Sequence, residues 1–293
     1  MAAVVIDGKA AALRVREEVR ERVLVLREKG VIPCLGVILA GEDPASLSYV
    51  TAKERALEEA GMASRDIRLP ADTGEAALLS HIALLNGDPA VHGILVQLPL
   101  PASIREDRVI AAIDPQKDVD GFHPVSVGNL VLGKRGFAPC TPQGVVTLLR
   151  EANIPLAGAH AVVVGRSNLV GKPLMNLLSR REFNATVTLC HTGTRNLARY
   201  TQQADILIAA AGKAGLITAD MIREGAAVID VGVNRVPDLT AKKGYRLKGD
   251  VDFEGVAQRA SVITPVPGGV GPMTIAMLLR NVVQAAEDTA IQH

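Results

Sequence analysis

Between Lys9 and Lys29, Ala, Leu and Val recur at helical spacing among Arg and Glu, and Gly30 follows as a stop signal. The period then changes. CLGVILA (34–40) is a short unbroken apolar run, which predicts a strand buried on both faces. A second helical stretch follows GEDPAS, from about Ala45 to Ala60. After it come a weaker strand-like run, ASRDIRL (63–69), a helix near Glu75–Leu85 and the apolar run VHGILVQL (91–98). Strands alternating with helices predict βαβ units and a parallel sheet.

The segment DPQKDVDGFHP (114–124) interrupts this series with Gly, Pro and charge, and a domain boundary is expected between about Asp120 and Thr141. Thr141-Pro142 predicts a helix start, with Thr as N-cap and Pro at the first helical position. A second series follows, with strands at AVVVG (161–165), ATVTLC (185–190), DILIAA (205–210) and AAVIDVG (226–232) and helices between them. An amphipathic helix from about Met273 to Glu287 closes the pattern.

Composition narrows the function classes. With 32 Lys and Arg against 31 Asp and Glu, the chain carries no global field for nucleic acid or an anionic membrane. Four Phe, three Tyr and no Trp leave little for a base-stacking platform. Cys34, Cys140 and Cys190 are odd in number and far apart, which fits reduced thiols in the cytoplasm. No signal peptide is evident, and no apolar run approaches the roughly 20 residues a membrane span requires. The six His form neither His-x-His nor His-Glu-x-x-His, so no metal site is expected.

AVVVGRSNLVGKP has the layout of a nucleotide-binding first turn: an apolar strand ending in Gly165, a polar loop, and a helix starting near Gly171. A Walker A loop is excluded, because five residues separate the glycines and Pro173 replaces the magnesium-binding Ser or Thr. A tight strand-to-helix turn without a ligand has the same pattern. The next strand ends in Cys190-His191-Thr192-Gly193-Thr194-Arg195, without the acid that takes a ribose 2′-hydroxyl in NAD-binding folds. Arg166, Thr192, Thr194 and Arg195 instead offer a guanidinium and hydroxyls that suit a 2′-phosphate, which favours NADP. Arg195 fits a solvated surface charge equally well.

In the first half, Tyr49 and Lys53 stand four apart on a predicted helix and so share a face. A lysine amine can act as acid or base, and a tyrosine hydroxyl can hold it. Many solvated helix faces show the same spacing. Gln97 ends an apolar strand before Pro99, where open α/β sheets bind ligands, although it could also satisfy a loop backbone. Asp120 lies in a charged loop. TPVPGGVGPMT (264–274), with three Pro and three Gly, brings backbone close to a ligand or to another loop.

GEDPAS…SYVTAK, GILVQLPLP, KDVDGFHP, PCTPQG, VVVGRSNLVGKP, VIDVGVNR and TPVPGGVGPMT together resemble the serial signatures of the bifunctional methylenetetrahydrofolate dehydrogenase/methenyltetrahydrofolate cyclohydrolase family, in the family's order. The resemblance implies a two-domain α/β fold: an αβ folate-binding domain at 1–120, joined by the C-terminal helix (273–293), and a Rossmann-like parallel-sheet NADP domain at 121–272. It also implies a homodimer. The implied reactions are oxidation of 5,10-methylenetetrahydrofolate by NADP+ and hydrolysis of the methenyl product to 10-formyltetrahydrofolate. The family's catalytic lysine falls on Lys53, its tyrosine on Tyr49 and its glutamine, with the neighbouring Leu98, on Gln97. The pterin-binding aspartate falls on Asp120, and Pro267, Gly268 and Gly269 fall in the folate-lining loop. The cofactor residues fall on Gly165, Arg166, Ser167, Thr192 and Val233. Gly193-Thr194-Arg195 departs from the family's usual Lys/Arg-Thr at this point.

Overall fold

A computed structural model describes residues 2–241 and 244–291. Its elements begin with β1 (Val4–Val5), α1 (Gly8–Glu28), β2 (Cys34–Ala40), α2 (Pro44–Glu59), β3 (Ala63–Leu69), α3 (Glu75–Gly87) and β4 (Gly93–Val96). Three helices follow: α4 (Glu106–Ala112), α5 (Pro124–Val131) and α6 (Cys140–Glu151). Next come β5 (His160–Val164), α7 (Gly171–Leu178), β6 (Thr186–Cys190), α8 (Leu197–Thr201), β7 (Ile206–Ala209) and β8 (Ala227–Asp230). The chain continues through β9 (Asn234–Pro237), β10 (Tyr245–Lys248), α9 (Phe253–Val256), β11 (Val262–Ile263) and α10 (Val270–Ile291). Two compact units divide this series, Leu13–Pro139 with Ile275–His293 and Met1–Ala12 with Cys140–Thr274, and the division falls inside both α1 and α10.

The first unit holds a three-stranded parallel sheet in the order β3-β2-β4. All seven residues of β2 are buried, as expected of a central strand covered on both faces. Its Ile38 and Ile94 of the neighbouring β4 are fully buried, each stabilising the fold by roughly 1.5–3 kcal/mol. β3 is an edge strand that turns Arg65 and Arg68 outward to Asp88 and Glu54, which is why its apolar pattern is weak. β4 is shorter than predicted and stops before Gln97, whose N–H still donates to Ile38 O at 2.8 Å. The loop 114–123 runs beside β4, with Ile94 N donating to Lys117 O at 2.8 Å. Asn281 of α10 ties the same region down by donating to Val119 O at 2.8 Å and Ala138 O at 3.2 Å. This mooring keeps residues 121–139 with the first unit, where the motif reading assigns them to the second.

The second unit holds six parallel strands in the order β1-β11-β8-β7-β5-β6, with a separate antiparallel hairpin of β9 and β10. Val162, Leu207 and Val228 are fully buried in its core. β1 pairs with β11, and this pairing draws residues 1–12 into the unit rather than into the expected 1–120 domain. Counting from β5, the order is second, first, third, fourth, fifth, so the winding reverses between β5 and β7. β2, β3 and β4 show the same reversal in miniature, between β2 and β4.

Two helix starts differ from the pattern. α6 begins at Cys140, so Thr141 lies inside the first turn rather than at the N-cap, with its hydroxyl 3.0 Å from that of Thr274. α10 begins at Val270, because Pro272 falls in its first turn, where a missing N–H costs the helix no hydrogen bond. Among the described residues, no helix is long and apolar enough to cross a membrane.

Candidate active site

α2 starts at a cap in which the Asp43 carboxylate accepts from Ser46 N at 2.8 Å and Ser46 Oγ at 2.9 Å. Tyr49 and Lys53 lie one turn apart along this helix. The Lys53 amine, half-buried, donates to Gln97 Oε1 at 3.0 Å. Gln97 Nε2 donates in turn to Leu98 O at 2.7 Å, and this second bond turns the carbonyl oxygen of the amide toward the lysine. The contact is a direct product of topology, since α2 leaves the carboxyl end of β2, Gln97 leaves that of β4, and the two strands are neighbours. Tyr49 is 54% exposed, and the lysine is held by Gln97 rather than by a tyrosine hydroxyl. Leu98 is half-buried beside Gln97.

Asp120 is half-buried in the loop beside β4. Two residues before it stands Asp118, 1% exposed, which the motif reading passed over. Its carboxylate accepts N–H bonds from His123 at 2.8 Å and Phe122 at 3.3 Å, closing the loop around Asp120. Burial pushes Asp118 up to about 6, against hydrogen bonds from Ser126, His123 and Phe122 that hold it down, and the Asp120 charge adds to the rise. The available signal was an Asp just ahead of the Gly121 turn and the His123-Pro124 helix start, where local backbone N–H groups converge.

In the second unit the parallel strands place all their following loops at one carboxyl edge. Gly165, Arg166 and Ser167 follow β5, Thr192 follows β6, Val233 follows β8, and Pro267, Gly268 and Gly269 follow β11. Arg166, Ser167, Thr192 and Val233 are exposed there. Gly165 has φ +129°, and a Cβ on it would collide with Ala210 O; a Cβ on Gly171 would collide with Gly165 O. The turn is therefore backbone packed on backbone, open to a ligand at the start of α7. Ser167 Oγ braces it, accepting from Val170 N at 3.1 Å. Thr194 Oγ1 accepts from His191 N at 2.9 Å, so this hydroxyl is spent on its own loop. The Pro267–Gly269 segment packs closely on the start of α1, because a Cβ on Gly8 would strike Gly269 O.

Two further buried acids escaped the motif reading: Asp230, 4% exposed, and Asp250, 0% exposed. Asp230 ends the apolar strand β8, the placement that singled out Gln97, whereas Asp250 follows the polar strand β10 and carries no such signal. Among the described residues, no three or more His, Cys, Asp or Glu stand together in a way that could hold a metal ion.

A lysine–amide pair at one sheet reversal and a glycine turn at another define a two-unit α/β protein of the dinucleotide-binding type. The family model for the catalytic domain of tetrahydrofolate dehydrogenase/cyclohydrolase matches residues 6–120, and that for its NAD(P)-binding domain matches residues 139–290. A bifunctional FolD protein from Chlorobium chlorochromatii is 57% identical over 287 residues, covering 96% of this chain and 97% of its own length. The crystal structure of the bifunctional dehydrogenase/cyclohydrolase FolD from Campylobacter jejuni is 49% identical with a TM-score of 0.93, covering 98% of this chain and 99% of its own. The Trypanosoma brucei dehydrogenase-cyclohydrolase, solved with NADP cofactor and inhibitor, is 40% identical with a TM-score of 0.94, and the coverage is 99% of both chains. This chain belongs to the tetrahydrofolate dehydrogenase/cyclohydrolase family.

Proposed function

We propose that the chain oxidises 5,10-methylenetetrahydrofolate to the 5,10-methenyl form with NADP+ and hydrolyses that product to 10-formyltetrahydrofolate. The observation that carries this reading is the Lys53–Gln97 contact, an amine oriented by a neutral amide at a sheet reversal. The first unit takes the folate, through Tyr49, Lys53, Gln97, Leu98 and Asp120. The assignment of Pro267, Gly268 and Gly269 to the folate rests on the family resemblance. The second unit takes the cofactor through Gly165, Arg166, Ser167, Thr192 and Val233.

The residues at the second unit's edge fit a dinucleotide phosphate. Gly165 and Gly171 leave the space a Cβ would fill, α7 presents its N-terminal N–H groups, and β6 ends without a carboxylate. Arg166 supplies the cation for a 2′-phosphate. When bound, the nicotinamide nucleotide accepts the hydride. The chain's own part in that step is orientation. Hydride loss leaves positive charge between two folate nitrogens, and a neutral amide such as Gln97 holds the lysine without opposing that charge. In the hydrolysis, water loses a proton as it adds to the methenyl carbon, and a ring nitrogen gains one as the ring opens. The Lys53 amine performs both transfers in turn, as base and then as acid. Asp120 accepts from the pterin's N–H donors, a task that suits an ionised carboxylate.

The cytoplasmic homodimer is part of the same reading, and three separate, buried cysteines, none in a disulfide among the described residues, fit a reducing compartment. A coupled assay with methylenetetrahydrofolate and either NADP+ or NAD+ tests the proposal. Reduced nucleotide and methenyl absorbance should appear together and the methenyl band should then decay, faster with NADP+. No nucleotide reduction with either cofactor would overturn it.

A further inference from the structure

The two buried acids of the second unit have no part in the chemistry above, yet their carboxylates organise the carboxyl edge of the six-stranded sheet. Asp230, the last residue of β8, accepts from Gly232 N at 3.0 Å, Asp250 N at 2.9 Å and Val251 N at 3.0 Å. Asp250 accepts from Ala211 N at 2.6 Å, Gly212 N at 2.8 Å, Lys213 N at 2.8 Å and Asn234 Nδ2 at 2.9 Å. Carboxylate atoms occupy the positions where Gly232 and Gly249 would carry a Cβ, so the chain is built around the acids. Three consecutive N–H groups converging on one anion make a nest, a shape that elsewhere binds phosphates. Here the protein fills the nest with its own carboxylate. Of the residues so held, Ala211, Gly212 and Lys213 after β7 are at the surface, and Val233, 52% exposed, lies between the held Gly232 and Asn234 after β8.

We infer that Asp230 and Asp250 are positioning residues for the nicotinamide nucleotide, acting as internal anions that fix the loops after β7 and β8 in their binding shape. The inference rests on the proposed function of this edge. Burying two neighbouring carboxylates is expensive, and apolar packing would serve stability alone at lower cost. What apolar side chains cannot do is hold several backbone N–H groups of different loops at fixed points. The arrangement also responds to acid. Burial pushes Asp230 up to about 6, opposed by the N–H bonds from Asp250, Val251 and Gly232 and reinforced by the Asp250 charge. The other charged groups around it are Lys248, Asp252 and Glu254, which line the same cavity. Protonation of Asp230 weakens its acceptance of the Gly232 and Val251 N–H groups and so loosens the loop that carries Val233.

The test measures dissociation constants of NADP+ and NAD+ by calorimetry for the parent, Asp230→Asn and Asp250→Asn, from pH 7.5 to 5.0. NAD+ is the diagnostic ligand across pH, because it lacks the 2′-phosphate monoester that itself titrates near 6. NAD+ affinity of the parent should fall on the order of tenfold as the pH drops through about 6, as expected for hydrogen bonds to a charged group. Asp230→Asn should bind weakly at every pH with a flat profile. Both variants should keep the parent's KM for methenyltetrahydrofolate in a hydrolysis assay without nucleotide, a split that general unfolding would not produce. Variants that bind both nucleotides as the parent does would overturn the inference, as would nucleotide and folate constants that worsen together. Should the variants fail to fold, a flat NAD+ profile in the parent overturns it alone. A parent that binds neither nucleotide at pH 7.5 overturns the functional reading and this inference with it.

Discussion

The two sheets reverse their winding in the same way, but they offer a ligand different things at the reversal. Between β2 and β4 the structure presents side chains, an amine and an amide bonded at 3.0 Å. Between β5 and β7 it presents backbone, with Gly165 and Gly171 packed so closely that neither could carry a methyl group. The first arrangement suits proton transfer, which needs a titratable atom at a defined point. The second suits an anion, which is held by N–H groups and a helix dipole and needs side chains kept out of the way. The same topological device therefore serves chemistry in one unit and recognition in the other, according to whether the residue at the strand end has a side chain.

That contrast can be broken most severely at Lys53. Lys53→Met keeps much of the stem and removes the amine, and cyclohydrolase activity should fall by about 100-fold to 10,000-fold, the range for general acid–base catalysis. Dehydrogenase activity should fall less. Following methenyl formation and decay separately decides the matter, and decay at the parent's rate would remove the proton-transfer role from Lys53. At the other reversal, Arg166→Ala should weaken NADP+ binding by about 1.5–3 kcal/mol while changing NAD+ binding much less. Calorimetric titration with both cofactors would show equal losses if Arg166 does not face the 2′-phosphate. Gly171→Ala drives a methyl group into the Gly165 carbonyl and should cost about 1–3 kcal/mol of stability, the usual penalty of overpacking. Denaturant unfolding of this variant at the parent's midpoint would show that the turn is not tightly packed.

The smallest effect sharpens the comparison from the first unit's side. Asp118 is held at about 6 against an ordinary 3.8, so as pH falls from 7 to 5 the folded protein takes up a proton that the unfolded chain does not. The parent should therefore gain about 1 kcal/mol on Asp118→Asn over that window, on the order of 2 °C in Tm. A Tm difference between the two proteins that is the same at pH 7 and pH 5 would place the Asp118 carboxyl outside a buried site.

Elements that meet their core along their whole length were legible from the pattern. β2 and β3 span residues 34–40 and 63–69, as the apolar runs predict. The hairpin of β9 and β10 was not, because each strand is half-exposed on one face and fully exposed on the other, so no apolar run marks it. β1 and β11 are two residues long, too short for any period to show. In the site, the helical spacing put Tyr49 and Lys53 on one face, but no local pattern could join Lys53 to Gln97, 44 positions later. Only the pairing of β2 with β4 does that. Asp118, Asp230 and Asp250 were missed for a different reason. Hydropathy reads an acid as surface, and these acids are buried because backbone N–H groups reach them, from its own loop in the case of Asp118 and from other loops for Asp230 and Asp250.

Because the division between the units falls inside α1 and α10, each unit is made of two stretches of chain separated by well over a hundred residues. During synthesis from the N-terminus, the six-stranded unit begins with twelve residues and then waits while Leu13–Pro139 is made. The three-stranded unit in turn lacks Val282, Val283 and Ala286, all fully buried, and the Asn281 tether, until the last helix emerges. A gene cut between the two regions matched by the family models would yield fragments that each lack part of their own core. Completion of the three-stranded unit is thereby tied to the late arrival of α10, whereas the six-stranded unit has all its segments once Thr274 is made.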